Sequence, residues 1–467
     1  MSNLKIRRLK LRNYRCFREI EVDFHEQLTV LVAQNGAGKT SILDALAVAF
    51  GPYIGAFDES KGKHFEHDDI RMTRVRETAS NEMEYARGGV SLDAEGYIPG
   101  SLVGDMLEEL AGAKGQYWCW WKRSLSGPTK AKTTIKDAKE LSRYGKRMQD
   151  AVRTPGVEVV LPLLAYYGTG RLWQLKKLMS RKLPRTSRTI GYTDCLDPGS
   201  SYKAFAEWFR YWSTSALKGR LDATQSGKAY VRSEFDGYIE SVSTAVNSCL
   251  ALTGWGNIEF NFGREELVVH HKDHGELPTA LLSDGIRNMI GMVADIAFRA
   301  TKLNPDLGAS AARETPGIVL IDEVDMHLHP EWQQVVLASL TEAFSRIQFI
   351  VTTHSPQVLT TVRRECIRCI EWDNGVPVIR IPAHETYAQE SRATLEDVLH
   401  VSSRPPVEVA LKLREYLRRV EDGEEAAAEA RQLRAELETS LGAGDAQLQL
   451  ADMLIARNEA GRRKARA

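Results

Sequence analysis

The chain of 467 residues has little of what marks membrane or secreted proteins. Six cysteines in this length are too few for a disulfide framework. The longest apolar runs, such as Gly317–Ile321, fall far short of the ~20 residues that a membrane helix needs. The first ten residues are charged and lack the apolar stretch of a secretory signal. We therefore expect a soluble protein of the reducing cytoplasm with no membrane contact.

An excess of charge of one sign is also missing, since 62 Lys and Arg face 62 Asp and Glu. The whole molecule therefore has no basic field that would indicate nucleic-acid binding, and any binding of DNA must come from a local patch. The run 171–188 holds seven basic residues and no acidic one. It is either a solvated face or a patch for a DNA or RNA backbone. Within it, Arg171 either forms a surface ion pair or reaches a phosphate or a partner subunit.

A glycine-rich loop between a predicted strand, Leu28–Ala33, and a predicted helix, Lys39–Phe50, is the strongest positive signal. Its sequence A-Q-N-G-A-G-K-T matches the phosphate-loop pattern G-x-x-x-x-G-K-[ST], except that Ala33 replaces the first glycine. Backbone N–H groups and the helix N-terminus of such a loop face phosphate oxygens. We expect Lys39 to neutralise the phosphates and Thr40 to ligate Mg²⁺. The predicted nucleotide-binding residues of the loop are Asn35, Gly36, Ala37, Gly38, Lys39, Thr40 and Ser41.

Two further polar clusters follow predicted buried strands. Asp322 and Glu323 come directly after the apolar run 318–321, which would deliver both carboxylates to the phosphate site at the sheet edge. We expect Asp322 to hold Mg²⁺ through water and Glu323 to polarise the attacking water. His354 follows the next strand, Gln348–Thr352, and is expected to sense the γ-phosphate.

The segment Leu282–Arg287 opens a predicted helix with two good N-cap residues. Alone it indicates only a capped helix, but beside the other motifs it looks like the ABC signature, with Asp284 where transporters carry glycine. In that role Ser283 and Gly285 bind the γ-phosphate of ATP held by another subunit. Asp325 fits the loop that crosses such an interface.

With these four motifs in order, the sequence resembles the ABC-type ATPases of the RecF/SMC/OLD group. The opening Leu11–Phe17 is similar to that group's first strand and adenine-side loop, which implies a nucleotide contact for Arg15. More specific likenesses point to small stand-alone ATPases of bacterial antiphage defence, the Septu/retron type, PtuA-like. They lie in Asp322–Gln333, Tyr166–Trp173, Leu395–Leu399 and the pair Arg404-Pro405.

The resemblance implies an α/β fold, an ABC-type P-loop ATPase with a mixed sheet, an antiparallel sub-sheet, a helical insertion and a helical C-terminal tail. We expect an N-terminal ATPase lobe over 1–165 and a helical insertion over 166–255. A C-terminal ATPase lobe over 256–392 and a helical region over 393–467, for oligomer contacts or partner docking, would follow.

The resemblance also implies an ATP-hydrolysing head-to-tail dimer or larger oligomer, with ATP and Mg²⁺ as cofactors, that controls a separately encoded HNH-type nuclease. No nuclease centre is expected in this chain. The alternative is a DNA-repair or recombination ATPase that clamps DNA directly. A transporter subunit fits less well, because the insertion is large and the nearest candidate for a glutamine loop, His67–Arg71, contains no glutamine.

Other patterns favour structural roles. Four aromatic residues at helical spacing predict a buried helix face: Phe205, Trp208, Phe209 and Trp212. Cys366 and Cys369 lack the second pair of a zinc site. The sequence further predicts a helix candidate at 102–111, a strand over Val157–Tyr167 and one continuous helix over Glu331–Phe344.

Overall fold

A computed structural model describes residues 4–74, 83–99, 116–128, 131–170, 187–199 and 203–466. The chain forms two compact units, Met1–Leu399 and His400–Ala467. The helix candidate at 102–111 lies outside the described residues, as does the basic run except for its last members. The predicted division into four regions remains a prediction.

The strands of the described residues are β1 Lys5–Tyr14, β2 Phe17–Asp23, β3 Leu28–Val32, β4 Met72–Arg74, β5 Met83–Tyr85, β6 Val90–Pro99, β7 Gln116–Leu125, β8 Leu163–Tyr167, β9 Trp255–Asn261, β10 Glu266–His271, β11 Gly275–Pro278, β12 Gly317–Ile321, β13 Ile347–Thr352, β14 Ile367–Asp373 and β15 Val376–Arg380. The helices are α1 Lys39–Ile54, α2 Lys139–Arg153, α3 Lys203–Gln225, α4 Glu234–Leu250, α5 Asp284–Leu303, α6 Ala311–Glu314, α7 Pro330–Gln333, α8 Val336–Ala343, α9 Pro356–Leu359, α10 Ser391–Asp397, α11 Glu408–Glu421, α12 Ala428–Leu441 and α13 Ala446–Arg466.

The larger unit is built on a six-stranded sheet in the order β15-β14-β3-β13-β12-β8. The strands are parallel except for β15, which forms a hairpin with β14. Every residue of β8, β12 and β13 is buried, as expected of parallel strands covered on both faces. The register sets Ile321 opposite both Tyr167 and Val351, so these three strands end at one edge. The predicted mixed sheet is confirmed.

An antiparallel sheet in the order β2-β1-β6-β7 covers helix α1. Its inner side chains include Leu9, Leu92 and Trp121, and the indole N–H of Trp121 donates to the Ala49 carbonyl at 2.9 Å. The antiparallel sub-sheet is confirmed, but the sequence analysis did not identify strand β6. The alternation of Val90, Leu92 and Ala94 with polar residues in β6 is the sequence signal that could have revealed it.

Helices α3, α4 and α5 of this unit pack against one another. The predicted aromatic face of α3 is confirmed, since all four of its side chains are buried: Phe205, Trp208, Phe209 and Trp212. The Trp212 ring lies 5.8 Å from that of Phe298 on α5. Nearly every residue of α5 is buried, so this helix is fixed in place along most of its length.

Two predicted elements were wrong in extent. The strand predicted over Val157–Tyr167 begins only at Leu163. The helix predicted over Glu331–Phe344 is divided into α7 and α8, because Val335 has φ −123° and ψ −15°, outside helical geometry. The Gln333 side chain donates to the Leu328 carbonyl at 3.0 Å, which ties the first turn to the loop before it.

The smaller unit consists of α11, α12 and α13 around a compact apolar core formed by Leu413, Tyr416, Val420, Leu437, Leu448 and Ala451. Arg434 on α12 donates to the Asp452 carboxylate on α13 at 2.7 and 2.9 Å. Across the part of the chain that the structure describes, no helix is long and apolar enough to cross a membrane.

Candidate nucleotide-binding site

The loop between β3 and α1 has the backbone geometry of a phosphate cradle. Gly36 and Gly38 have φ of 77° and 101°, in the left-handed region that favours glycine. A Cβ on Gly38 would lie 2.2 Å from the Phe17 ring, so a larger residue would also clash. Ala33 is not among the residues with positive φ, which explains why alanine is tolerated where the pattern has glycine.

Lys39 is folded back over this loop. Its Nζ donates to the carbonyls of Ala33 at 3.0 Å and Gln34 at 3.3 Å. The side chain is 7% exposed, and burial lowers its pKa while the nearby carboxylates oppose that shift. The ammonium is therefore desolvated and held by weak neutral acceptors, so phosphate oxygens would be better partners.

Asp322 receives hydrogen bonds on both carboxylate oxygens. Thr40 Oγ1 on α1 donates to one oxygen at 2.8 Å, and Thr352 Oγ1 on β13 donates to the other at 2.6 Å. Asp322 is 2% exposed. Thr40 and Asp322 thus place two hard oxygen donors together beside the phosphate loop, a donor set that fits Mg²⁺ completed by phosphate oxygens and water.

Glu323 follows in a strained conformation. Its φ is 49°, unusual for a residue other than glycine, and its backbone N–H donates to Thr352 Oγ1 at 2.7 Å. Such strain persists only where the surroundings hold it, and it is typical of functional sites. The positive φ turns the chain at the end of β12 and leaves the Glu323 side chain half-buried at the sheet edge.

Asp325 and His354 approach the same edge. Thr353 Oγ1 donates to the Asp325 carboxylate at 2.5 Å. Burial, reinforced by the charge of Lys39, lowers the pKa of His354, so the imidazole is neutral at pH 7 and can donate one N–H. The structure therefore brings together the phosphate loop, both carboxylates and His354, as the sequence predicted.

Arg15 lies at the β1–β2 turn with φ 48°. Its guanidinium donates to Asp44 on α1, and to Asp69 at 2.9 Å. Tyr166 donates to the other oxygen of Asp44 at 2.8 Å. The guanidinium is thus held beside α1 by two carboxylates, and one of them, Asp69, lies in His67–Arg71, the nearest candidate for a glutamine loop. The predicted nucleotide contact of Arg15 remains a prediction.

Ser283 lies at the exposed N-terminus of α5. Its side chain makes no capping hydrogen bond. A Cβ on Gly285 would lie 2.3 Å from the His327 carbonyl, so the first turn of α5 packs directly on the loop that follows Asp325. Among the described residues, no hydrogen bond joins Ser283 to the phosphate loop of its own chain.

A buried polar relay, which the sequence analysis missed, joins α5 to the acidic strand end. The Tyr167 carbonyl accepts from the Asp322 backbone N–H at 2.8 Å. The Tyr167 hydroxyl donates to Asp295 on α5 at 2.7 Å, and Arg299 donates to the same carboxylate oxygen at 2.7 Å. Arg299 also donates to the Gly191 carbonyl at 2.8 Å.

Cys366 and Cys369 are buried at one end of strand β14. Within the described ranges, no group of three or more His, Cys, Asp or Glu could hold a metal ion.

Residues 8–238 match a protein family described as "AAA domain". Residues 259–360 match another, described as "AAA domain, putative AbiEii toxin, Type IV TA system". The chain is 26% identical to the Retron Vc95 probable ATPase of Vibrio cholerae serotype O1 biovar El Tor, over 91% of this chain and 85% of that protein. The Retron Ec83 probable ATPase of Escherichia coli is also 26% identical, over 95% and 85%.

The Septu protein PtuA of Bacillus mycoides (strain KBAB4) is 43% identical, over 16% of this chain and 10% of that protein. An Smc head bound to the C-winged helix domain of ScpA superposes with a TM-score of 0.45 and 14% identity, over 80% of this chain and 96% of that chain. The fold is therefore assigned from the sheet order and the motifs, and not from this superposition. By its motifs, its fold and its near-full-length relatives, the chain is an ATPase that resembles the RecF/SMC-like ATPases and the antiphage ATPases of retrons and Septu.

Proposed function

We propose that the chain binds ATP with Mg²⁺ at the phosphate loop, closes head to tail with a second copy over two ATP molecules, and in that form controls a separately encoded HNH-type nuclease in antiphage defence. Binding and slow hydrolysis at this site rest on the cluster of Lys39, Asp322, Glu323 and His354. Dimer closure rests on the exposed Ser283, whose side chain makes no capping hydrogen bond.

The residues of the phosphate site have distinct roles in this proposal. Lys39 exchanges its two carbonyl acceptors for β- and γ-phosphate oxygens. Thr40 and Asp322 hold the Mg²⁺, which neutralises phosphate charge. Glu323 orients and polarises the attacking water, and neutral His354 donates its N–H to a γ-phosphate oxygen.

The single observation that carries the dimer is the geometry of the α5 N-terminus. Ser283 is exposed and its hydroxyl caps nothing, yet α5 is buried along nearly all of its length. A long helix that presents an uncapped N-terminus to solvent is a ready site for an anion. Gly285 holds this end against the His327 carbonyl, so Ser283 and the loop after Asp325 belong to one surface. The γ-phosphate of an ATP molecule bound to a second subunit would accept hydrogen bonds from the N-terminus of α5.

The nuclease partner rests on the resemblance to Septu PtuA and the retron ATPases. The balanced charge of 62 basic and 62 acidic residues gives no general attraction to DNA, which favours control of a partner over direct clamping. Purification of the tagged chain from its own host with ATP should retain an HNH-type protein, identified by mass spectrometry. If no HNH-type protein co-purifies with or without ATP, the proposed nuclease partner is contradicted.

The mass in solution tests the assembly. We expect ATP and Mg²⁺ to double the mass of the unaltered chain, with a longer-lived dimer for Glu323→Gln because hydrolysis is slowed, and no effect of duplex DNA. A monomer under every condition would refute the ATP-bridged dimer. Assembly only with DNA would instead establish a DNA clamp.

A matched pair of variants locates the interface. Ser283→Arg places a bulky cation at the α5 N-terminus and should abolish the ATP-dependent dimer. Ser226→Arg makes the same change at an exposed serine after α3 and should leave dimerisation intact. Equal behaviour of the two variants would argue against an interface at Ser283.

A further inference from the structure

The order of the central sheet gives the bound nucleotide a direction. The phosphate loop follows β3, whereas His354 follows β13 and Asp322 follows β12, which lie on one side of β3. A γ-phosphate that reaches these groups must point toward β13 and β12. The ribose and base therefore leave on the opposite side, over β14.

An exposed tryptophan lies on that opposite side. Strand β14 pairs with β3 as far as Cys369 and Val32, and Trp372 lies three residues further along, at the edge where the phosphate loop begins. The Phe17 ring lies parallel to the Trp372 ring, with an interplanar angle of 10° and centroids 6.1 Å apart. Phe17 also packs directly against Gly38 of the loop. Only one aromatic ring thus separates Trp372 from the N-terminus of α1.

The aromatic side chains of the nearby β1–β2 turn cannot stack on a base. Tyr14 and Phe17 are both fully buried. Trp372 is 42% exposed, although a tryptophan is on average well buried in folded proteins. An indole with one face on Phe17 and part of its surface open to solvent has the form of a base-stacking platform.

We propose that Trp372 supplies the surface on which the base of the bound nucleotide stacks. This inference rests on the proposed ATP site and names the residue that takes the base there. Every purine has a flat π-face, so stacking alone gives affinity for purine nucleotides without separating adenine from guanine. The phosphate loop still binds the phosphates.

The test separates base from phosphate binding. Calorimetry with Mg²⁺ measures the Kd for ATP and for inorganic tripolyphosphate, which has no base. We expect Trp372→Ala to raise the Kd for ATP roughly 5- to 150-fold, the loss of one base–aromatic stack. The Kd for tripolyphosphate should stay within about twofold of its original value. Trp372→Phe keeps an aromatic face and should retain most of the ATP affinity.

Trp120→Ala is the matched control, because Trp120 is 47% exposed on β7 of the other sheet, and it should leave both Kd values unchanged. Equal weakening of ATP and tripolyphosphate by Trp372→Ala would show a general structural effect and overturn the stacking role. Unchanged ATP affinity would overturn it as well. If the unaltered chain bound neither ligand, the proposed phosphate site itself would fail, and the stacking role with it.

Discussion

Thr352 is the residue whose replacement tests the geometry of the site most sharply. Its hydroxyl donates to Asp322 at 2.6 Å and accepts from the Glu323 backbone N–H at 2.7 Å. It is completely buried at the end of β13. One oxygen atom thus orients the proposed metal-binding carboxylate and fixes the strained backbone of the proposed catalytic residue.

Thr352→Val keeps the shape and the β-branching of the side chain and removes only this oxygen. A hydrogen bond to a charged group contributes about 1.5–3 kcal/mol, and an orphaned buried N–H costs about 1–3 kcal/mol. The two terms share one atom and do not add fully, so we expect a loss of stability of about 3 kcal/mol. If the same bond orients Asp322 for Mg²⁺, kcat should fall roughly 10- to 100-fold, at about 1.4 kcal/mol for each tenfold.

Urea unfolding measures the loss of stability. Steady-state ATPase assays at varied Mg²⁺ measure the fall in kcat. We expect Thr352→Val to need more Mg²⁺ for half-maximal activity, whereas Thr352→Ser, which retains the hydroxyl, should recover most of the activity. A Thr352→Val protein with unchanged kcat and Mg²⁺ dependence would refute the orienting role. A stability loss without any change in Mg²⁺ dependence would reduce Thr352 to a packing residue.

Three further variants test other parts of the account. Gly285→Ala should weaken ATP-dependent dimerisation, because a Cβ 2.3 Å from the His327 carbonyl forces the α5 turn aside; light scattering measures it, and an unchanged dimer would contradict the packing argument. Lys39→Met should abolish ATP binding yet raise the thermal midpoint of the nucleotide-free protein at pH 7.5. Since burial lowers the folded-state pKa of Lys39, its cost to stability is full below that pKa and vanishes as the pH rises to about 10.5, so the gain should shrink at pH 10. Arg299→Met should cost about 3–5 kcal/mol in urea unfolding by leaving Asp295 buried without its cation; a loss below 1 kcal/mol would contradict this.

The phosphate loop could be predicted from sequence because all of its information is local. Gly38, Lys39 and Thr40 are consecutive, and the strand before them and the helix after them are short and regular. The same holds for Asp322 and Glu323, which directly follow a continuous apolar run. The ends of parallel strands meet at one edge of a sheet, so their approach to the loop also follows from topology.

The missed features depend on contacts distant in sequence. Thr352 reaches Asp322 only because β12 and β13 pair in the register that sets Ile321 opposite Val351, and no local pattern specifies that register. The role of Trp372 on β14 can be inferred only from its stacking on Phe17 of β2. The break at Val335 was missed because the sequence has no helix-breaking residue there.

The measurement closest to the central claim is ATPase activity in a mixture of two inactive variants, Lys39→Met and Ser283→Arg. In a head-to-tail dimer each ATP lies between the phosphate loop of one subunit and Ser283 of the other. A mixed dimer therefore contains one intact site of two. Since neither variant forms an ATP-bridged dimer with itself, an equimolar mixture should recover up to roughly half of the unaltered activity. Activity no greater than the sum of the separate variants would show that each site is complete within one chain, which would contradict the proposed assembly.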